Sequence, residues 1–516
     1  MNTINYLKNR LIIVSSRLPV LLEQAATGRW QTKPGSGGLV AAIAPIMKKQ
    51  GGLWIGWPGK TVTEDMDIEN LLRGAKRDFG CTFKAVPLTA KEVVGFCYGF
   101  ANEILWPLFH DLQSRCYFAP GYWKVYRNVN RKFAEVVYRN SGENDHIWVH
   151  DYHLIGVGRE LRHLGLTSKV AYFLHIPFPP LDLFLKLPWC FQILNALLAY
   201  DLVGFQTQRD KRNFVQCVRA MSKDVLVRGE EKVSTAKVDQ RDVRIGNFPI
   251  SIDFDEFALM AESTKVDRRV AEIQVNLGSE TNRRTLLLGV DRLDYIKGIP
   301  EKLTAFRNTL QRFPRLRKKI SLIQIVVPSR MNIPKYRDLK LDIDRMVSDI
   351  NGKYAQTDWV PIHYIFRSVD RTELIALYRA ADIALITPLK DGMNLVAKEY
   401  CAANVTENGV VILSEFAGAA AQLHTDALLV NPYDIEEVAE TIAAACDMPI
   451  AERRRRMKAL RAKVRKYDIY WWVNSFLNVV FAPDQTAFPP LEDYITNGIE
   501  VGMQARDNNP SWMGLF

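Results

Sequence analysis

The sequence predicts an α/β protein built as two doubly wound, mostly parallel sheets that face each other across a cleft. Three observations carry that expectation. Short apolar strands alternate with helical patterns along the whole chain. Charged or polar residues stand immediately after several of those strands. A passage rich in turn residues at Asn247 to Asp253 divides two halves of similar grammar.

In the first half, Leu11 to Val14, Ile147 to His150, Val170 to His175 and Asp201 to Phe205 are apolar runs of strand length. A glycine-rich turn at Gly35 to Gly38 follows the first of them. Val129, Phe133 and Val136 fall at helical spacing between strands. In the second half, Thr285 to Val290, Ser321 to Val327, Asp382 to Ile386 and Val410 to Leu413 are strands. Leu303, Phe306, Leu310 and Phe313 mark the helix after Gly298. Open parallel sheets bind ligands beyond the carboxyl ends of their strands. Arg17, Asp151, His175, Arg292, Arg330 and Asp391 all end or follow predicted strands, so they are expected to converge on the cleft.

The 516 residues are 48% apolar, enough for two sizeable cores. Seven cysteines lie without a CxxC pair, which fits a reducing compartment and no disulfide or thiolate-metal scaffold. The start of the chain lacks a secretory pattern and no stretch reaches membrane-spanning length, so a cytoplasmic protein is expected. The net charge of +11 is uneven, since Arg453 to Lys466 carries nine Lys or Arg. Met457, Leu460 and Val464 give that segment an apolar helical stripe. A solvated basic face is the reading, with no nucleic-acid or membrane partner. A homo-oligomer stays open.

Two segments carry chemistry. IALITPLKDGMNLVAKE, Ile383 to Glu399, reads as a buried strand, an acidic residue, a polar glycine turn and a helix start. Amides at Gly392, Met393, Asn394 and Leu395 suit a diphosphate. Asp391 suits sugar hydroxyls, and Glu399, about two helical turns on, suits a ribose. VDRLDYIKG, Val290 to Gly298, puts Arg292 and Lys297 after another strand. Fixed positive charge there would stabilise a departing diphosphate. HDYHL, His150 to Leu154, contains two histidines and an aspartate but no third ligand at metal spacing.

The ordered set GGLWIGWPG, HDYHL, HIPFP, VDRLDYIKG, VPSR and DGMNLVAKEY resembles the trehalose-6-phosphate synthases over most of Leu11 to about residue 490. The resemblance implies a GT-B-like pair of Rossmann-like domains. It implies retaining transfer of glucose from a nucleoside-diphosphate glucose to glucose 6-phosphate, with no metal and no cofactor beyond the co-substrate. It assigns the donor to Gly38, His175, Arg292, Lys297, Asp391, Gly392, Met393, Asn394, Leu395 and Glu399. The acceptor falls to Arg17, Trp57, Trp106, Asp151 and Arg330, with Asp151, His175, Arg292 and Lys297 nearest the chemistry. Gly37 and Gly38 would let an N-terminal loop close over substrate, and Trp54 belongs to the core. The domain limits implied are 1–250 on the acceptor side and 251–469 on the donor side. A terminal helix at 470–490 returns to the first domain, and 491–516 form a tail.

The family pattern is broken at FCYGFANEILWP, where Cys97 stands in place of an expected tyrosine, and at Ser16, where asparagine is usual. A cysteine does not reproduce a phenol at its reach. Tyr98 is the candidate to supply the hydroxyl instead. Two alternatives follow: a glucosylglycerol-phosphate synthase using glycerol 3-phosphate or another small phosphorylated acceptor, and a non-catalytic nucleotide-sugar sensor on the same fold.

Overall fold

A computed structural model describes residues 9–24, 30–35, 38–61, 67–229, 233–277 and 284–481. Gly37, the end of the 470–490 segment and the 491–516 tail lie outside the described residues.

The first sheet has nine strands in the spatial order Thr82–Ala85, Leu53–Trp57, Leu11–Arg17, His146–His150, Val170–Phe173, Leu202–Phe205, Arg241–Asn247, Val233–Val238 and Leu226–Arg228. The first seven pair in parallel, and the last two add antiparallel. The second sheet has six parallel strands, Ile362–Ile365, Ile320–Val327, Thr285–Arg292, Ile383–Ile386, Val410–Ser414 and Leu428–Val430. Setting aside the small hairpin Val20–Gln24 with Trp30–Pro34, the first six sheet strands of each half run 3-2-1-4-5-6 across the sheet. That order reverses direction between strands one and four, the place where a doubly wound sheet opens a ligand crevice. In the first sheet the reversal falls beside Arg17 and Asp151, and in the second beside Arg292 and Asp391.

The strands are buried along their length because helices cover both faces. Ile12, Ile13 and Val14 are inaccessible, as are Leu287, Ile383, Leu385, Ile412 and Leu413. The expected helices form at Pro120–Asn140, which buries Val129 and Phe133, and at Ile299–Arg312, which buries Leu303, Phe306 and Leu310. Phe313 falls just past the second helix as its C-cap, because its backbone leaves the helical region.

The basic segment is the helix Ile450–Lys466, with Met457, Leu460 and Val464 buried as its stripe predicts. Its charges have structural work. Arg453 donates to the carbonyls of Ala445, Cys446 and Met448, and Arg461 to those of Cys401 and Ala402. These carbonyls end neighbouring helices, where a cation satisfies orphaned acceptors. Arg455 and Arg456 pair with Glu452, and Arg465 with Asp255. Among the described residues no helix is long and apolar enough to cross a membrane.

The chain crosses between the sheets at Asn247–Asp253. Gln206 Oε1 accepts from the Ile250 N–H at 2.9 Å, and Lys398 Nζ donates to the Ile250 carbonyl at 2.7 Å. The helix Ile469–Phe481 packs on the first sheet. Trp472 Nε1 donates to the Phe248 carbonyl at 2.9 Å, and the Trp472 and Phe476 rings lie 5.0 and 4.5 Å from that of Trp148.

The Thr285–Arg292 strand is anchored by an ion pair inside the core. Lys302 Nζ meets Asp291 Oδ2 at 2.5 Å, and Gln324 Nε2 donates to the same oxygen at 3.0 Å, with both charged side chains sealed from solvent. Removing one partner leaves the other charge buried and uncompensated. Lys302→Met is therefore expected to destabilise the second sheet by roughly 3–5 kcal/mol, read as a lowered thermal unfolding midpoint.

Candidate active site

The donor-side turn is built from a buried strand and a capped helix. After Ile383–Ile386 the chain runs to Asp391, whose N–H bonds the Phe416 carbonyl and whose carbonyl receives the Gly418 N–H. Asn394 adopts a left-handed φ of 81° and caps the helix Leu395–Ala403 by accepting from the Ala397 N–H. No described hydrogen bond uses the N–H groups of residues 392–395, so they remain available at the helix N-terminus. Lys297 Nζ contacts Asp391 Oδ2 at 2.5 Å, and Asn394 Nδ2 reaches the same oxygen at 3.2 Å. Burial raises the Asp391 carboxyl, but Lys297, His110 and Arg292 outweigh it and hold the group below its usual range.

Arg292 ends its strand with an exposed side chain and no carboxylate partner among the described residues. Its guanidinium lies 5.6 Å from the Trp106 ring centroid. Arg330 lies 4.1 Å from the same ring. Arg330 Nη1 donates to Asp294 Oδ2 at 3.2 Å and to the Tyr336 hydroxyl at 2.6 Å, and Nη2 donates to the Tyr152 hydroxyl at 3.2 Å. Tyr152 in turn donates to Asn102 Oδ1 at 3.0 Å, and Asn102 Nδ2 to the Cys97 carbonyl at 2.6 Å. Arg17, at the end of the first strand, stands 5.2 Å from the Trp57 ring.

Asp151 takes φ 75° and ψ 165°, a conformation that costs a non-glycine residue energy. Arg330 and Asn394, with φ of 50° and 81°, share the left-handed side. Strain at three predicted site positions means the surrounding packing holds these side chains where an unconstrained chain would not. Asp151 Oδ1 accepts from the His175 N–H at 3.3 Å. Burial pushes the Asp151 carboxyl up to about 6, against the opposing pull of backbone hydrogen bonds and of Arg292 and Arg330.

The imidazoles form a chain. The Ile250 N–H fixes the Gln206 amide, which turns Nε2 toward His175 Nδ1 at 3.5 Å. His175 then carries its proton on Nε2 and donates to His150 Nδ1 at 3.1 Å. Burial lowers His175 to about 3 and His150 well below its ordinary value, so both stay neutral. The His175 ring is thus engaged within the first sheet, and its carbonyl is the part that approaches the donor turn. A Cβ added to Gly392 would stand 2.2 Å from that carbonyl oxygen. Gly38 opens the helix Gly38–Gln50, and a Cβ there would meet the Leu395 side chain at 3.2 Å.

Most predicted residues gather here, with two qualifications. Glu399 lies further along the donor helix, accepts from the Tyr378 hydroxyl at 2.7 Å and is raised by burial. Tyr98 is the second. The segment Val93–Leu105 is a π-helix, in which Cys97 is buried beside Arg17 and Arg330 while Tyr98 packs against the apolar cluster with no polar partner among the described residues. Adjacent helical positions point in different directions, and Cys97 is the one whose thiol feels both arginine charges. Burial raises the Cys97 thiol against the opposing pull of Arg17 and Arg330.

Asp294, Tyr152, Asn102, Tyr336 and the Lys390–Asp111 pair across the cleft were not singled out by sequence reasoning. Asp294 and Tyr152 lie inside motifs already noted, but nothing in one sequence shows which neighbours they meet. Among the described residues no group of three His, Cys, Asp or Glu could hold a metal ion.

Two doubly wound sheets, the second carrying a phosphate-ready turn and two arginines at or just past the ends of neighbouring strands, define a GT-B-like enzyme of the nucleotide-sugar-transferring class. The family model for glycosyltransferase family 20 matches residues 9–481, and the chain belongs to that family. The trehalose-6-phosphate synthase of Mycobacterium avium (strain 104) is 41% identical over 482 residues, covering 93% of this chain and 96% of the relative. The Burkholderia xenovorans α,α-trehalose-phosphate synthase (UDP-forming) in complex with glucose-6-phosphate superposes with a TM-score of 0.82 at 34% identity, covering 91% and 99% of the two chains. The E. coli trehalose-6-phosphate structure bound with UDP-2-fluoro glucose gives 0.80 at 35%, covering 91% and 98%.

The Asp151 carboxyl sets a pH expectation. If its ionised form receives acceptor hydroxyls, acceptor use should fall as pH drops through about 6, while His150 and His175 stay neutral there. Asp151→Asn should remove that acid limb from a kcat/KM profile. Its stability contribution has the opposite sense. The native state holds this proton more tightly than the unfolded chain, so the group favours the fold at low pH and loses that contribution as pH rises from about 4 through about 6.

Proposed function

We propose that this cleft carries out retaining transfer of glucose from a nucleoside-diphosphate glucose to glucose 6-phosphate, giving α,α-trehalose 6-phosphate and the nucleoside diphosphate. One observation carries the reading. Arginines from two half-sites, Arg292 after one strand and Arg330 after the next, reach the same Trp106 indole. Two phosphate-bearing substrates meeting across a sugar require this pairing of cationic groups at short range.

In this reading Arg292, Lys297 and the amides of residues 392–395 receive the donor diphosphate and stabilise the charge that develops as its bond to glucose breaks. Asp391 and Gly392 bound the sugar, and Glu399 takes the ribose. Arg17, Arg330, Trp57 and Trp106 hold the acceptor, with Asp151 on its hydroxyls. The acceptor hydroxyl approaches the face from which the diphosphate leaves, so configuration is retained without an enzyme nucleophile. The turn at His175 closes the site against water. The domain limits 1–250 and 251–469, with 470–490 returning to the first domain, belong to the same reading. The uridine diphosphate named with two structural relatives supports a uridine donor.

Mass detection of phosphorylated products from an acceptor panel with UDP-, ADP- and GDP-glucose tests this. Trehalose 6-phosphate formation is expected. Donor hydrolysis without a disaccharide phosphate would sink the reading and leave a sensor. Arg292→Ala and Lys297→Ala should each slow turnover by roughly 10²-fold or more with the fold retained.

The same assay addresses the acceptor. Cys97 lies near enough to Arg17 and Arg330 to feel both charges, so a phenol there would have charged neighbours. A hydrogen bond to a charged group is worth about 1.5–3 kcal/mol. Cys97→Tyr is expected to raise kcat/KM for glucose 6-phosphate about tenfold or more relative to glycerol 3-phosphate. A wild-type preference for glycerol 3-phosphate would instead favour a glucosylglycerol-phosphate synthase.

A further inference from the structure

Asp294 stands between Arg292 and Lys297 in the VDRLDYIKG turn, yet its side chain faces away from any donor role. Its carboxylate is fully buried and receives three donors. The Ile296 N–H lies 3.4 Å from Oδ1 and shapes the turn that carries Lys297. The Trp106 indole N–H reaches the same oxygen at 3.4 Å, from the other side of the cleft. Arg330 Nη1 meets Oδ2 at 3.2 Å.

The pairing orients Arg330 as well as neutralising it. A guanidinium has five N–H donors. Three are taken by Asp294, Tyr336 and Tyr152, which leaves the Nε–H and one Nη2–H without a partner among the described residues. Those two remain for an oxyanion. One buried carboxylate therefore touches the donor turn, the arginine of the acceptor side and the facing wall of the first sheet. The Trp106 bond joins the two halves of the chain, so drawing them apart would break it.

We propose that Asp294 is a positioning residue that couples the two substrate sites: it ties closure over the acceptor to the geometry of the donor-diphosphate turn. The inference rests on the proposed function above. Coupling between two sites is reciprocal, so donor product should tighten acceptor and acceptor should tighten donor product by the same factor.

The test is calorimetric binding of glucose 6-phosphate with and without saturating uridine diphosphate, and the reverse titration. Wild-type protein should show tightening of about fivefold or more. Asp294→Asn removes the charge that holds Arg330, and Trp106→Phe deletes the indole N–H while keeping a ring for the guanidinium. In both variants the coupling factor should fall toward one, with uridine diphosphate alone still binding within about threefold of wild type. A purely structural role would weaken each ligand without changing the ratio. If Asp294→Asn fails to fold, Trp106→Phe decides. Undiminished coupling in a folded variant, or none in wild type, overturns the inference. Wild-type protein that binds neither ligand overturns the functional reading and the inference with it.

Discussion

Everything in the cleft depends on how closely two backbones pass. Gly392 runs so near the His175 carbonyl that a single methyl group would collide with it, and Gly418 is packed as tightly behind, where a Cβ would come 1.9 Å from the Gly392 carbonyl oxygen. That approach brings the carboxyl ends of two sheets face to face. Only there do the strand-end residues of one half come within reach of those of the other. A side chain at Gly392 would push the two halves apart, and one at Gly418 would displace the Gly392–Met393 backbone that makes the approach.

Closure makes the electrostatics expensive and useful together. Asp294 with Arg330, and Lys297 with Asp391, are charges held largely out of solvent. Burial alone would neutralise such groups, and each persists because its partner and neighbouring donors compensate it. The same low-dielectric setting strengthens any charge that a departing diphosphate develops beside Arg292. Arg292 contrasts with its neighbours in having no carboxylate among the described residues, so its charge is not already spent. The basic Ile450–Lys466 helix differs again. Its arginines close helix ends and pair on the surface, which gives the strongly positive segment work within the fold.

Much of the fold was legible because parallel strands buried on both faces must be apolar along their whole length. The runs at Thr285–Val290 and Ser321–Val327 could be little else. The helix stripes at Met457, Leu460 and Val464 and at Leu303, Phe306 and Leu310 were legible for the same reason, at a different period. Less visible were the π-helical Val93–Leu105 segment, whose sequence has no distinguishing period, and the strand Leu53–Trp57, whose tryptophans read as motif before they read as strand. In the site, the residues after strands were found because topology alone sends them to the crevice. The direction of side chains such as Cys97 and Tyr98 on an irregular helix is set by local backbone geometry, which composition does not encode.

The sequence by itself determined the chemistry available: a polar glycine turn and helix start at residues 391–395, and cations at 292, 297 and 330 that end or follow strands. These follow from local backbone preferences and from residue type, both of which act over a few positions. The tertiary structure alone decided who meets whom. It put Asp294 against Trp106, separated by 188 positions, Tyr152 against Arg330, separated by 178, and Cys97 near Arg17 and Arg330. Such contacts arise from the angle and distance at which two independently formed sheets pack, a property of the whole assembled surface that no short stretch of chain contains.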